Sequence, residues 1–239
     1  MNAMADAADL AALLARKHAL EQRAAATPAF AARLRALCVW QAERLANTHA
    51  DLRRDPRYGA AAEFFLTDVY GSATAAQRDR ELERAWRYLK RTLPRAAVGP
   101  LARALELDVL TADLDQAMAG QLSSAGLTAA AYAAAYRRVG RAGERRRQID
   151  LLIGIGSDLD RIAHRAWLAM ALRAAHAPAH AAGFGVLQDF LERGLEAFRH
   201  MRGAAEFLAL IRTRELQLLE TLMQEGPAAA TRTLRAAAP

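Results

Sequence analysis

Pro28-Ala-Phe-Ala-Ala-Arg-Leu-Arg-Ala-Leu-Cys-Val-Trp-Gln-Ala-Glu-Arg-Leu45 decides the class of fold. Phe30, Leu34, Leu37, Trp40, Arg44 and Leu45 recur at spacings of three and four, which places one mostly apolar stripe along a helix. Pro28 suits a first helical turn, because its missing N–H has no intrahelical partner there. The stripe predicts a helix from Pro28 to about Arg53, ended by Asp55-Pro56. The same grammar runs along the whole chain. Ala accounts for 60 of the 239 residues and Leu for 34, whereas Val, Ile and Thr together number 22. The best helix former is abundant and the β-branched strand formers are scarce. An all-β fold is excluded and a parallel α/β sheet is disfavoured. The fold class is all-α, a multi-helix bundle of roughly nine or ten helices.

Outward from that stretch, the breaks are Pro, Gly and short polar runs. Met4 to Ala25 reads as a helix before it, and residues 57 to 69 as a helix after it, closed by Gly71. Thr74-Ala-Ala-Gln77 has the form of a capping box and opens a helix to Leu93. A helix starts near Gly99-Pro100, and Thr111 caps a shorter one to about Leu122. Thr128 opens a helix with Tyr132 and Tyr136. The next pattern, Gly143 to about Ala175, is interrupted at Gly154-Ile-Gly156. His176-Ala-Pro-Ala-His180 is a loop or a new helix start. Residues 184 to 201 carry a full amphipathic stripe, and Phe207 to Leu222 form the last helix. Ser123-Ser-Ala-Gly126 is the best boundary. It divides an N-terminal half, residues 1–125, from a C-terminal half, 126–227, with a frayed tail at 228–239; one compact domain is equally compatible.

The charge is +7, from 33 basic and 26 acidic residues. A basic chain invites a nucleic-acid reading, but 31 of the 33 are Arg, a bias that a GC-rich genome explains. The densest cluster is Arg137, Arg138, Arg141, Arg145 and Arg146, with Arg147 beside them. On one helix Arg137, Arg141 and Arg145 would share a face able to hold phosphates. The competing account is a solvated face paired with acids elsewhere. The single cysteine, Cys38, rules out a disulfide framework or a Cys-rich zinc site. In Leu37-Cys-Val-Trp40 it reads as a buried, inert thiol. Asp6 and Asp9 near the start give no basic region of a secretory signal, and no run approaches a membrane span. The expected location is the bacterial cytoplasm.

Catalytic motifs are thin. Gly154-Ile-Gly156-Ser-Asp-Leu159 lacks the third glycine and the preceding strand of a dinucleotide loop. No Glu-x-x-His pair of a di-iron bundle occurs. Asp160/His164, Glu196/His200 and His176/His180 are four apart, the last pair straddling Pro178; all read as surface pairs or helix ends. No metal ligand and no cofactor is assigned.

Arg57-Tyr-Gly-Ala-Ala-Ala-Glu-Phe-Phe-Leu-Thr-Asp-Val-Tyr-Gly71 stands out. It packs four of the chain's twelve Phe and Tyr residues into fifteen positions. Phe64 and Phe65 would anchor a helix hairpin. Asp68, Tyr70, Arg78 and Asp79 form a candidate binding or structural cluster, in which Asp68 pairs with Arg78 or bonds free N–H groups. Phe-Phe-Leu-x-Asp-x-Tyr-Gly, with Gln77-Arg-Asp79 and the Ala104 to Leu110 stretch, resembles an uncharacterised family of proteobacterial all-helical proteins. Phe190-Leu-Glu-x-Gly194, Ala197-Phe198, Met201-x-Gly203-Ala and Phe207-Leu208 resemble that family's second half. Thr67 and Val69 depart mildly from its pattern. The resemblance implies an all-helical fold and supplies no catalytic residue.

These readings lead to a non-enzymatic helical binding or scaffold protein that offers a groove between helices to a protein partner. One alternative is a nucleic-acid or polyanion binder using the Arg137–Arg147 ridge. Another is a small-molecule, haem or metal-binding bundle with His164 or His200 as ligand.

Overall fold

A computed structural model describes residues 3–70, 77–78, 80–82, 84–85, 95–123, 127–224 and 234. Among them every regular element is helical. The helices are α1 (Ala3–Ala25), α2 (Pro28–Thr48), α3 (Ala50–Arg54) and α4 (Gly59–Phe64), the last running into a π-helical turn, Phe65–Tyr70. Then come α5 (Arg95–Gln121), α6 (Ala129–Val139), α7 (Ala142–Ala163), α8 (Ala166–Ala181), α9 (Gly185–Met201) and α10 (Ala205–Gln224). The multi-helix, all-α class is as the sequence predicts.

Two compact units divide the chain, and neither is a sequence half. The first holds residues 1–48, 95–155 and 209–239, the second 49–94 and 156–208. The boundary expected at 123–126 therefore does not separate the two units, since residues 95–155 belong to the first. Local polarity marks a loop, whereas unit membership follows which apolar stripes meet in space.

In the first unit, α5 packs on both α1 and α2. Its core joins Leu37 of α2, Met118 of α5, Tyr132 and Tyr136 of α6, and Leu218, Leu219 and Leu222 of α10. Trp40 stacks on Tyr132 with ring centroids 4.2 Å apart. Leu234 is fully buried in the same core. The tail expected to fray thus contributes at least one core side chain, which the alanine-rich composition around it conceals.

Several expected breaks are absent. The stretch around Gly99-Pro100 and Thr111 is one helix, α5. Thr111 is no cap; its hydroxyl accepts a hydrogen bond from Gln148 Nε2 at 2.7 Å. Helix α7 passes unbroken through Gly154 and Gly156. Gly156 serves close packing instead, since a Cβ there would lie 2.6 Å from Leu208 Cδ2. Helix α8 continues through Pro178, so the His176–His180 segment is helical and not a loop. Conversely, the long helix expected to Arg53 stops at Thr48. The Thr128 cap is as expected, its side chain accepting from Ala131 N at 3.2 Å. The Thr74–Gln77 capping box as a unit, Gly71 and Asp79 lie outside the described residues.

Candidate functional site

The two segments that carry the family resemblance meet inside the second unit. Phe64 lies against Phe190 (5.1 Å between centroids), and Phe65 contacts Phe198 (6.0 Å) and Phe207 (6.3 Å). Gly194 is where the Phe64 ring enters: a Cβ at 194 would be 2.8 Å from Phe64 Cζ. Arg57 donates from Nε to the Met201 carbonyl at 2.9 Å and from Nη2 to the Gly203 carbonyl at 3.2 Å. It thus satisfies carbonyls at the C-terminal end of α9, where a cation is also favoured by the helix dipole. Tyr58 donates its hydroxyl to Glu206 at 2.6 Å.

The expected polar cluster is only partly assembled. Asp68 pairs with Arg193 of α9, at 2.6 and 3.0 Å, and not with Arg78. Arg78 instead donates to the Asp68 backbone carbonyl at 2.6 Å and stacks its guanidinium 4.6 Å from the Phe190 ring centre. Asp68 lies in the π-helical turn, and its carbonyl is the acceptor there. The side chain of Tyr70, and all of Asp79, lie outside the described residues. A residue that the sequence reading missed completes this layer. Glu81 is buried; it accepts from the Leu187 N–H in the first turn of α9 at 2.8 Å and from Gln77 Nε2 at 3.0 Å. A carboxylate at a helix N-terminus is stabilised there. Its only sequence signal was an acid four residues after Gln77, too common to single out.

The Arg137–Arg147 ridge does not form. Gly140 and Arg141 both take positive φ (62° and 59°), so Arg137 and Arg138 end α6 while Arg145 and Arg146 belong to α7. A helical face cannot continue through that turn. Arg141 bonds Glu144 and Asp113, the latter at 2.9 Å. Arg145 is buried, 3.6 Å from the Tyr136 ring centre, and bonds the Gly140 carbonyl. Arg147 forks onto Glu106, with both contacts at 3.0 Å. Arg146 reaches only to 3.9 Å from Glu220, and Arg138 is exposed. Desolvation raises the Asp113 carboxyl, but Arg141 and Arg16 outweigh it and hold the group below its ordinary range.

Cys38 is exposed as a residue, contrary to the sequence reading, although its sulfur lies 4.0 Å from Asp115 Oδ2. Desolvation of the sulfur, and then that carboxylate, push the thiol up to about 12. Such a thiol has almost no thiolate at neutral pH and is a poor nucleophile. His164 sits 3.5 Å from Asp160, and His200 contacts the Pro56 carbonyl through Nε2 at 2.9 Å.

Among the described residues, a groove of about 860 Å³ runs along α8 and α9, with Pro56 and Arg57 also in its lining. Arg173, Arg199, Arg202 and His200 line it, with Glu192 and Glu196 as its acids. Among the described residues, Arg173, Arg199 and Arg202 have no carboxylate partner. Beyond the groove, α8 buries none of its residues, and Trp167 and Met170 are 58% and 64% exposed. Among the described residues, no helix is long and apolar enough to cross a membrane.

Fold and groove together define an all-helical protein with a basic interhelical cleft. The chain belongs to the family described as a domain of unknown function (DUF8198), whose model matches residues 20–229. No curated protein and no solved structure matches it.

Proposed function

We propose that the protein is a non-enzymatic binding protein that receives an acidic segment of a protein partner in the α8–α9 groove. One observation carries the reading: Arg173, Arg199 and Arg202 line a concave surface with no carboxylate partner among the described residues. Arginine presents a planar fork of donors that matches a carboxylate, so three of them along a cleft suit side chains of Asp and Glu. Arg57, tied to the Met201 and Gly203 carbonyls, stiffens the groove wall instead of taking part in binding. A bacterial, cytoplasmic setting rests on the Arg-over-Lys bias and the single cysteine.

The test is fluorescence anisotropy with a labelled, glutamate-rich helical peptide. Saturable binding that weakens with added salt is expected. Combined Arg173→Ala, Arg199→Ala and Arg202→Ala should weaken it at least tenfold, whereas Arg138→Ala with Arg146→Ala should not. Binding indifferent to the groove variants would overturn the reading. Loss through the Arg138 and Arg146 changes would favour the polyanion alternative.

A further inference from the structure

Two histidines and two carboxylates converge where α8 turns into α9. His176 and His180 are one helical turn apart on α8, so both project from the same face. Their rings lie 4.5 Å apart. Asp189 comes from α9, and its Oδ1 is 2.8 Å from His180 Nε2. One ligand atom from each of His176, His180 and Asp189 lies within 4.8 Å of the others. Three details build this arrangement. The connection is short, with Gly183 at φ 75° and Phe184 N bonded to the Ala179 carbonyl at 2.8 Å. Gly185 makes room for the His180 ring, since a Cβ at 185 would be 2.7 Å from His180 Nδ1. Finally, a supporting chain stands behind His176. The buried Gln188 donates to both the Leu172 carbonyl (2.7 Å) and Glu192 (2.8 Å), and both carboxylate oxygens of Glu192 lie 3.1 Å from His176 Nδ1.

We propose that the α8–α9 hairpin is a divalent transition-metal site, with zinc as its natural ion and His176, His180 and Asp189 as ligands. Imidazole nitrogen with carboxylate oxygen is a zinc donor set, with bonds of about 2.0–2.2 Å. With the three ligand atoms already within 4.8 Å of one another, modest side-chain rotation would complete that coordination. Glu192 fixes the His176 ring through Nδ1 and leaves Nε2 for the ion; Gln188 positions Glu192 in turn. Metal-bound histidines regularly rest their second nitrogen on such a carboxylate. Two acids beside two neutral imidazoles also match the charge of a divalent cation. Both histidines are about half exposed, at 50% and 42%. The ion therefore enters from solution and keeps a position for water. The site goes beyond the acidic-segment reading, and neither requires the other.

The experiment is calorimetric titration of untagged, chelator-stripped chain with zinc chloride. Saturable binding at one ion per chain is expected. His180→Ala and His176→Ala should each weaken it at least tenfold, and Glu192→Gln about 10–100-fold, the usual cost of losing such a supporting group. The groove triple variant should leave zinc binding intact, which separates this proposal from the proposed function. Because an altered hairpin can misfold, the unaltered chain is also treated with diethyl pyrocarbonate and mapped by mass spectrometry. Zinc should protect His176 and His180 while leaving His18 reactive. Absence of saturable binding, binding unchanged in the histidine variants, or equal protection of His18 would overturn the proposal.

Discussion

The two units use many of their arginines differently. Several in the first unit are consumed internally. Arg44 Nη1 donates to both carboxylate oxygens of Glu215, at 2.6 and 2.8 Å, with both side chains nearly buried, Arg141 shares Asp113 with Arg16, and Arg145 lies under Tyr136. In the second unit Arg57 and Arg193 are structural, whereas Arg173, Arg199 and Arg202 face the groove. A formal charge of +7 hides this difference. What matters for recognition is which cations lack an internal anion, and only spatial neighbours decide that.

The largest expected effect tests the consumed set. Arg44→Ala breaks a nearly buried pair with Glu215 and should cost up to about 3–5 kcal/mol in urea denaturation. Exchanging both partners, Arg44→Met with Glu215→Leu, should cost less, because the two buried charges leave together. Equal losses would mean that the pair is not the reason the site tolerates charge.

Next in size is a glycine contrast. Gly194→Ala drives a Cβ against the buried Phe64 ring and should cost about 1–3 kcal/mol. Gly154→Ala meets nothing within 4 Å and should be neutral or gain up to about 1 kcal/mol of helix propensity. Thermal melts of the two variants compare packing demand in the second unit with mere helix continuity in the first.

A pH experiment sharpens the view of the first unit. Desolvation holds the Asp115 carboxyl up at about 6, against the Gln41 hydrogen bond and the Arg145 charge. The folded chain therefore binds this proton before the unfolded chain does. The Asp115 contribution to stability falls as pH rises through roughly 4 to 6. Asp115→Asn should remove that slope and gain on the order of 1–2 kcal/mol at pH 7. A slope unchanged in the variant would assign it to other groups.

The smallest effects belong to exposed cations. Arg193→Ala breaks a half-exposed pair with Asp68 and should cost about 0.5–1 kcal/mol. Arg138→Ala and Arg146→Ala should each stay within about 0.5 kcal/mol. A larger loss at Arg146 would show that its 3.9 Å approach to Glu220 is a stronger contact than its length implies.

Much of this was legible from residues. The Phe30 to Leu45 stripe, the Thr128 cap and the amphipathic 184–201 segment all report local periodicity, and each corresponds to a helix. The misread places are those where one residue type serves two purposes. Gly156 looks like a break but is a packing notch for Leu208. Pro178 looks like a loop but lies inside α8, which hid the shared face of His176 and His180. The Gly140–Arg141 turn looked like continuing helix and created a ridge that the fold does not contain.

Sequence alone therefore determined the helical class, most helix cores and the aromatic segment from Tyr58 to Phe65, because backbone propensity and side-chain period act within a few residues. Only the tertiary structure decided that Asp68 belongs to Arg193, that Arg145 is buried while Arg173 is free, and that His180 meets Asp189. Those pairings join residues brought together by packing, and an ion pair forms with whichever opposite charge lies within a few ångströms, irrespective of distance along the chain.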